Sequence, residues 1–168
     1  MTRYLTMIAL SLLTLLLPAI GTAATPQTII GKVVGVHDGD TLTILDDSKT
    51  QIKIRLAEID APESRQPYGS RSKQELSGLA FGRPAAVQVQ DTDRYGRTVG
   101  RVTVDGVDVN AEMVRRGAAW VYRKYAKRQF LFTIEKQARD AKAGLWALPE
   151  ADRVPPWEWR KMSKSKTK

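Results

Sequence analysis

The sequence predicts an α+β domain: a five-stranded Greek-key β-barrel of the OB type with three helices. Three observations carry this. Three β-rich runs joined by short turns come first, a helical segment follows the third, and two more strand-like runs precede two further helical segments. The order βββ-α-ββ-α-α is the strand plan of such a barrel. The 168 residues suffice for one domain with a real core. A 42% hydrophobic and 27% charged composition excludes a disordered chain, and the absence of any fixed-period repeat excludes a solenoid.

Each element has a local cause. Residues 28–36 are rich in Ile and Val, with Gly31 and Gly35 as bend or bulge points. "HDGD" at 37–40 turns the chain into a second strand, 41–45, because Asp-Gly is a strong hairpin signal. "DDSKT" turns it again into a third strand, 51–59, which opens with clean apolar–charged alternation. Pro67 precedes a helix over 68–81, stopped at Gly82-Arg83-Pro84. Strands follow at 85–92 and 98–104 around the turn "DRYGR". Asp105-Gly106 turns into a short helix at 110–116, closed by Gly117. A last helix is expected from about 127 to 143, with Phe130, Ile134, Ala138 and Ala141 on its buried face.

The two ends read differently. Arg3, a leucine-rich run to Leu17, Pro18 and small residues through Ala24 have the layout of a secretory signal peptide, assigned to residues 1–23. The barrel domain is then 24–150, and the chain is expected in the periplasm or the medium, or membrane-tethered if the signal stays uncleaved. Residues 151–168 are expected to form an irregular basic tail. The chain has no cysteine, which excludes disulfides and thiolate metal sites. Its net charge of +9 points to an anionic partner: nucleic acid, lipid or cell-wall polymer.

The residues able to do chemistry cluster at strand ends. Asp38 and Asp40 flank Gly39 in one turn; Asp60 and Glu63 flank Pro62 at the exit of the third strand. Two carboxylates with no cysteine and one histidine favour a hard, oxygen-liganded cation over zinc. Arg55 alternates with Ile54 and Leu56 and so points away from the face those residues bury. A guanidinium there, and another at Arg97 after Tyr95-Gly96, could grip phosphate oxygens with a two-pronged fork. Phosphodiester hydrolysis needs charge neutralisation, a group to handle water, and stabilisation of the developing charge.

In order along the chain, "VHDGDTLTI", "IKIRLAEIDAPE", "DRYGRTVGRV", "VNAEMVRRGAAWVYRKY" and "AKAGLW" resemble the thermonuclease, or staphylococcal nuclease-like, domain. The resemblance covers about residues 28–148. It implies an OB-fold barrel with three helices and a Ca²⁺-dependent endonuclease of DNA and RNA that leaves 3′-phosphate ends. By motif, Arg55, Glu63 and Arg97 match the family's catalytic positions. Asp40 and Asp60 match its two Ca²⁺ carboxylates, and Ala61 the residue whose backbone carbonyl reaches the ion. Arg94 and Tyr95 match a segment that touches the nucleotide, and Tyr122 or Tyr125 one where a tyrosine packs on it. The chain departs from some members in having Ala61 in place of threonine, and in a short segment between Glu63 and Tyr68. The resemblance further implies a monomer with no obligate protein partner, acting on single-stranded or frayed DNA and RNA. The alternative is a catalytically silent OB-fold module that only binds nucleic acid.

Overall fold

Alternation of apolar and polar residues produces a meander of three antiparallel strands: β1 (Thr28–Val36), β2 (Thr41–Asp46) and β3 (Gln51–Leu56). The structure, a computed structural model, describes residues 27–165; the expected signal segment lies outside them. β1 also pairs with β5 (Pro84–Thr92), which pairs with β6 (Thr98–Val104), both antiparallel. The ring closes where β6 meets β3 in parallel, Arg55 opposite Val99 and Leu56 opposite Gly100. This is the expected five-stranded closed barrel. Val33, Leu42, Ile44, Ile54, Leu56, Val87 and Val102 fill its interior. A register shift between Val33 and Gly35 marks the bulge expected there.

Helices α1 (Gly69–Ala80), α2 (Val109–Arg115) and α3 (Phe130–Asp140) pack on the barrel. A short strand β7 (Val107–Asp108) pairs with β6 and leads into α2. Asp108 caps α2 by accepting from the Ala111 N–H at 3.0 Å. Asn110, fully buried, fastens α2 to the ring. Its Oδ1 accepts from the Val102 N–H at 3.0 Å, and its Nδ2 donates to the carbonyls of Ala57 (2.9 Å) and Gly100 (3.2 Å).

Three expectations are corrected. The third strand ends at Leu56 rather than 59. Leu56 and Ala57 donate their N–H groups to the carbonyls of Asp40 and Gly100, and Glu58 then takes a left-handed turn (φ 67°). Beyond it, β4 (Ile59–Asp60) pairs with β8 (Trp120–Val121) in a separate two-stranded sheet. The last core helix begins at Phe130, not 127, because the Lys127 and Arg128 N–H groups donate to Glu58 Oε1 at 2.8 and 2.9 Å. Burial works against the Glu58 charge, but these donors and the Arg128 guanidinium outweigh it and hold the carboxyl below its usual range. The buried face of α3 is Leu131, Ile134, Glu135 and Ala138; Phe130 and Ala141 face outward.

The third correction concerns the end of the chain. The tail expected to be irregular contains a fourth helix, α4 (Pro156–Ser165). Proline suits the first helical position, where no intrahelical donor is needed. Trp157 then stacks on Tyr122 (centroids 5.4 Å apart, planes 2° apart) and meets Trp120 edge-on at 5.9 Å. That aromatic seat fixes the start of α4 against the barrel domain. No helix among the described residues is long and apolar enough to cross a membrane.

Candidate active site

Asp40 sits in a turn that tolerates no side chain at its centre. A Cβ on Gly39 would fall 1.8 Å from Ser72 Oγ on α1 and 2.7 Å from the Ala61 Cβ. The close approach of α1 and the 61 segment therefore requires glycine between the two aspartates. Asp38 holds the turn by accepting the Asp40 N–H at 3.0 Å. Asp40 Oδ2 accepts from the Ala61 N–H at 2.6 Å, and Oδ1 from the Thr41 hydroxyl at 3.1 Å. Burial pushes the Asp40 carboxyl up to about 7, against the pull of Arg55 and the Ala61 N–H and aided by the charges of Asp38 and Asp60.

Arg55 leaves the outer face of β3 and is nevertheless well covered. Its Nη1 donates to the carbonyls of Leu56 (2.8 Å) and Ile59 (2.9 Å). Its Nη2 lies 2.9 Å from Asp60 Oδ1 and 3.1 Å from Asp40 Oδ2. The β4–β8 pair places Asp60 opposite Trp120, with its side chain only 1% exposed. One guanidinium thus brings together the two carboxylates that lie 20 positions apart in sequence.

Arg97 stands at the mouth of the β5–β6 turn. Asp93 Oδ1 accepts the Tyr95 and Arg97 N–H groups (2.9 and 3.0 Å), and Oδ2 accepts Arg97 Nε at 2.7 Å. Burial opposes the Asp93 charge, but the Arg97 and Tyr95 donors outweigh it and hold its carboxyl below the usual range. Arg97 Nη1 reaches Thr41 Oγ1 at 3.5 Å, which links this turn to Asp40. The Tyr95 ring is 69% exposed, with Arg94 over it at 4.8 Å and Arg97 at 5.6 Å.

Glu63 follows Pro62 in a compact segment. Gln66 Oε1 accepts the Glu63 N–H at 3.2 Å, and Gln66 returns its own N–H to the Glu63 carbonyl at 2.8 Å. Gly69 packs so closely that a Cβ there would lie 2.0 Å from the Glu63 carbonyl oxygen. The short loop between Glu63 and Tyr68 is therefore tightly wound. Arg160 of α4 reaches in from the side. Its Nη2 donates to Asp60 Oδ2 at 2.7 Å, and its Nη1 to Glu63 Oε1 at 2.7 Å and Asp60 Oδ1 at 3.2 Å.

A continuous polar chain thus runs Arg97–Thr41–Asp40–Arg55–Asp60–Arg160–Glu63. Ala61 joins it through its N–H. Tyr122 lies against Trp157 on one side and Tyr125 on the other, whereas Tyr125 is 54% exposed. Sequence reasoning missed four contributors: Thr41, Asp93, Trp157 and Arg160. The first two had a signal, since Asp at the head of a turn accepts main-chain donors and Thr41 adjoins Asp40. The last two had none, because nothing in the sequence said where the chain end folds back.

The residue types fit a hard cation. Asp40 and Asp60 offer oxygen donors converging on one point of positive charge, and the depleted ionisation of Asp40 is what a nearby cation would reverse. No group of three or more His, Cys, Asp or Glu side chains among the described residues could hold a metal ion. A cation here would therefore rest on two carboxylates, completed by main-chain oxygen and water.

Residues 53–148 match the family model described as staphylococcal nuclease homologue. The chain belongs to the staphylococcal nuclease-like family. Relatives within and around this family include an "Uncharacterized endonuclease" of Escherichia coli, 47% identical over 133 residues and covering 79% of this chain and 85% of the relative. A "Micrococcal nuclease" of Shigella flexneri is 43% identical over 148 residues, 82% and 83% of the two chains. A staphylococcal-like nuclease of Arabidopsis thaliana is 42% identical over 111 residues, 66% of this chain and 34% of its own. In this staphylococcal nuclease-like chain the matched segment contains Arg55, Asp60, Glu63 and Arg97, whereas Arg160 and all of α4 lie beyond it.

Proposed function

We propose that this chain is an exported, Ca²⁺-dependent endonuclease that hydrolyses phosphodiester bonds of single-stranded or frayed DNA and RNA, leaves 3′-phosphate ends and acts as a monomer. One observation carries the reading: Arg55 and Arg97 reach the same polar chain as Asp40, Asp60 and Glu63, at one end of an otherwise apolar barrel. The names of the Escherichia coli and Shigella flexneri relatives support the nuclease reading. The apolar N-terminal segment supports export.

The residues divide the work by where they are fixed. Asp40 and Asp60 would hold the cation, with the Ala61 main chain beside them. When bound, the cation supplies charge neutralisation at the phosphate and lowers the pKa of water. Arg55, held on two carbonyls and two carboxylates, presents a fixed positive field. Arg97 keeps one face of its guanidinium on Asp93 and offers Nη1 and Nη2 to phosphate oxygens, where charge grows in the transition state. Glu63, partly exposed on a tight loop, orients the attacking water or takes its proton. Arg94, Tyr95 and Tyr125 provide charge and stacking surface for the nucleotide; Tyr122 acts from beneath Tyr125.

The test is a gel assay of the purified protein on plasmid, single-stranded DNA and RNA, with Ca²⁺ or with excess EGTA. The reading expects cleavage that stops with EGTA and returns with Ca²⁺, and product ends that a 3′-phosphatase must treat before extension. Cleavage that survives chelation removes the cation. Salt-sensitive binding without any cleavage is the signature of the silent binding module.

A further inference from the structure

Arg160 holds positions that the proposed chemistry needs free. Asp60 Oδ2, the oxygen that Arg55 leaves open, accepts from Arg160 Nη2 at 2.7 Å. Glu63 Oε1 accepts from Arg160 Nη1 at the same distance. A carboxylate cannot both take a proton from water and keep its lone pairs on a guanidinium. Burial opposes the Arg160 charge, yet the Asp60 and Glu63 carboxylates outweigh it and raise the guanidinium pKa further.

The attachment of α4 shows which part can move. Trp157 and Arg160 are three residues apart, so they share one face of the helix. Trp157 is wedged against Tyr122 and Trp120, and the Gln66 amide donates to the Val154 carbonyl just before the helix. These fix the helix start. Arg160, by contrast, is held only through its guanidinium, on a long side chain that is 39% exposed. It can let go of the carboxylates without unseating the helix.

We infer that Arg160 is a built-in stand-in for the cation: it neutralises Asp60 and Glu63 until a divalent cation displaces it from Asp60. This rests on the cation reading above. It adds an element outside the family match, a C-terminal strap that sets the threshold of cation needed to open the site. A calcium titration of the purified protein without nucleic acid tests it, by isothermal calorimetry on wild type and Arg160→Gln. The variant is expected to bind Ca²⁺ roughly five- to tenfold tighter, the size of a partly exposed charge-assisted pair. Nitrogen-15 NMR of the arginine side chains supplies the second readout. The Arg160 Nη protons, assigned by their loss in the variant, are expected to be resolved without Ca²⁺ and to merge into the free-guanidinium average once it saturates. Equal affinities overturn the inference. Tighter binding with Arg160 protons that stay resolved also overturns it, since the effect is then only that of a nearby charge. If neither protein binds Ca²⁺, the cation reading itself fails, and this inference falls with it.

Discussion

Arg55 and Arg97 serve one site from two very different settings. Arg55 is gripped by two carbonyls and two carboxylates contributed by separate segments of the chain, and its side chain is nearly out of solvent. Arg97 is gripped by Asp93 alone, within its own five-residue turn, beside an exposed tyrosine. The first is part of the architecture that brings Asp40 to Asp60. The second is an arm on a local hinge. Removing them should therefore separate catalysis from stability, and the predictions below grade that separation.

The largest effect is expected from Arg97→Ala. Loss of a donor aimed at developing charge lowers turnover by roughly 10²–10³-fold or more. The melting temperature should stay within a degree or two of wild type, because only the local Asp93 contact is lost. Single-stranded DNA kinetics beside calorimetry check both halves, and ordinary turnover would remove Arg97 from the chemistry. Arg55→Gln should also inactivate, but with a loss of stability of about 3 kcal/mol, because Asp40 and Asp60 are left buried without their shared partner. Chemical denaturation measures it; a Gln variant as stable as wild type would mean that the cluster is held by something else.

A smaller effect concerns pH. In the folded chain Asp40 keeps its proton up to about 7, whereas the unfolded chain loses it near 4. The folded state therefore binds the extra proton between those values, and Asp40 makes stability fall as pH rises through that window. Glu58, Asp93 and Glu112, held below their usual range, act only at lower pH: their stabilisation is complete above their unfolded values and is lost as pH falls below them. The melting temperature in EGTA should therefore drop by several degrees between pH 5 and 8, and Ca²⁺ should restore it at pH 8. A flat profile would show that Asp40 is not held neutral. The smallest effect is Tyr125→Ala, expected to raise KM for single-stranded DNA by a few-fold with kcat unchanged. The Tyr122→Ala change should instead lower stability, since Tyr122 supports Trp157 and thereby α4.

The sequence-level reading was strongest where local chemistry decides. The Asp-Gly turns, the alternation in β3 and the helix stop at Gly117 are short-range signals, and each is found where expected. It was weaker where distant segments decide. The third strand looked continuous to Ile59, but hydrogen bonds from Leu56 to Asp40 and from Ala57 to Gly100 end it early. The start of α3 was misplaced because Glu58, some 70 positions away, takes the Lys127 and Arg128 donors. In the site, Arg55, Arg97 and the carboxylates were legible as residue types, but their convergence was not. Arg160 was hidden altogether, because a basic tail looks the same whether it floats or folds back.

The parallel closure of β3 on β6 has a consequence in time as well as in space. It joins Arg55 to Val99 across 44 positions, and long loops of this kind close late on the folding path. Until that closure, the Arg55 cluster and the Arg97 turn belong to separate pieces of chain. Each half can have its hairpins in place and still have no site. Recovery of cleavage after dilution from denaturant should therefore follow the slowest major refolding phase, with no partial activity during the faster ones.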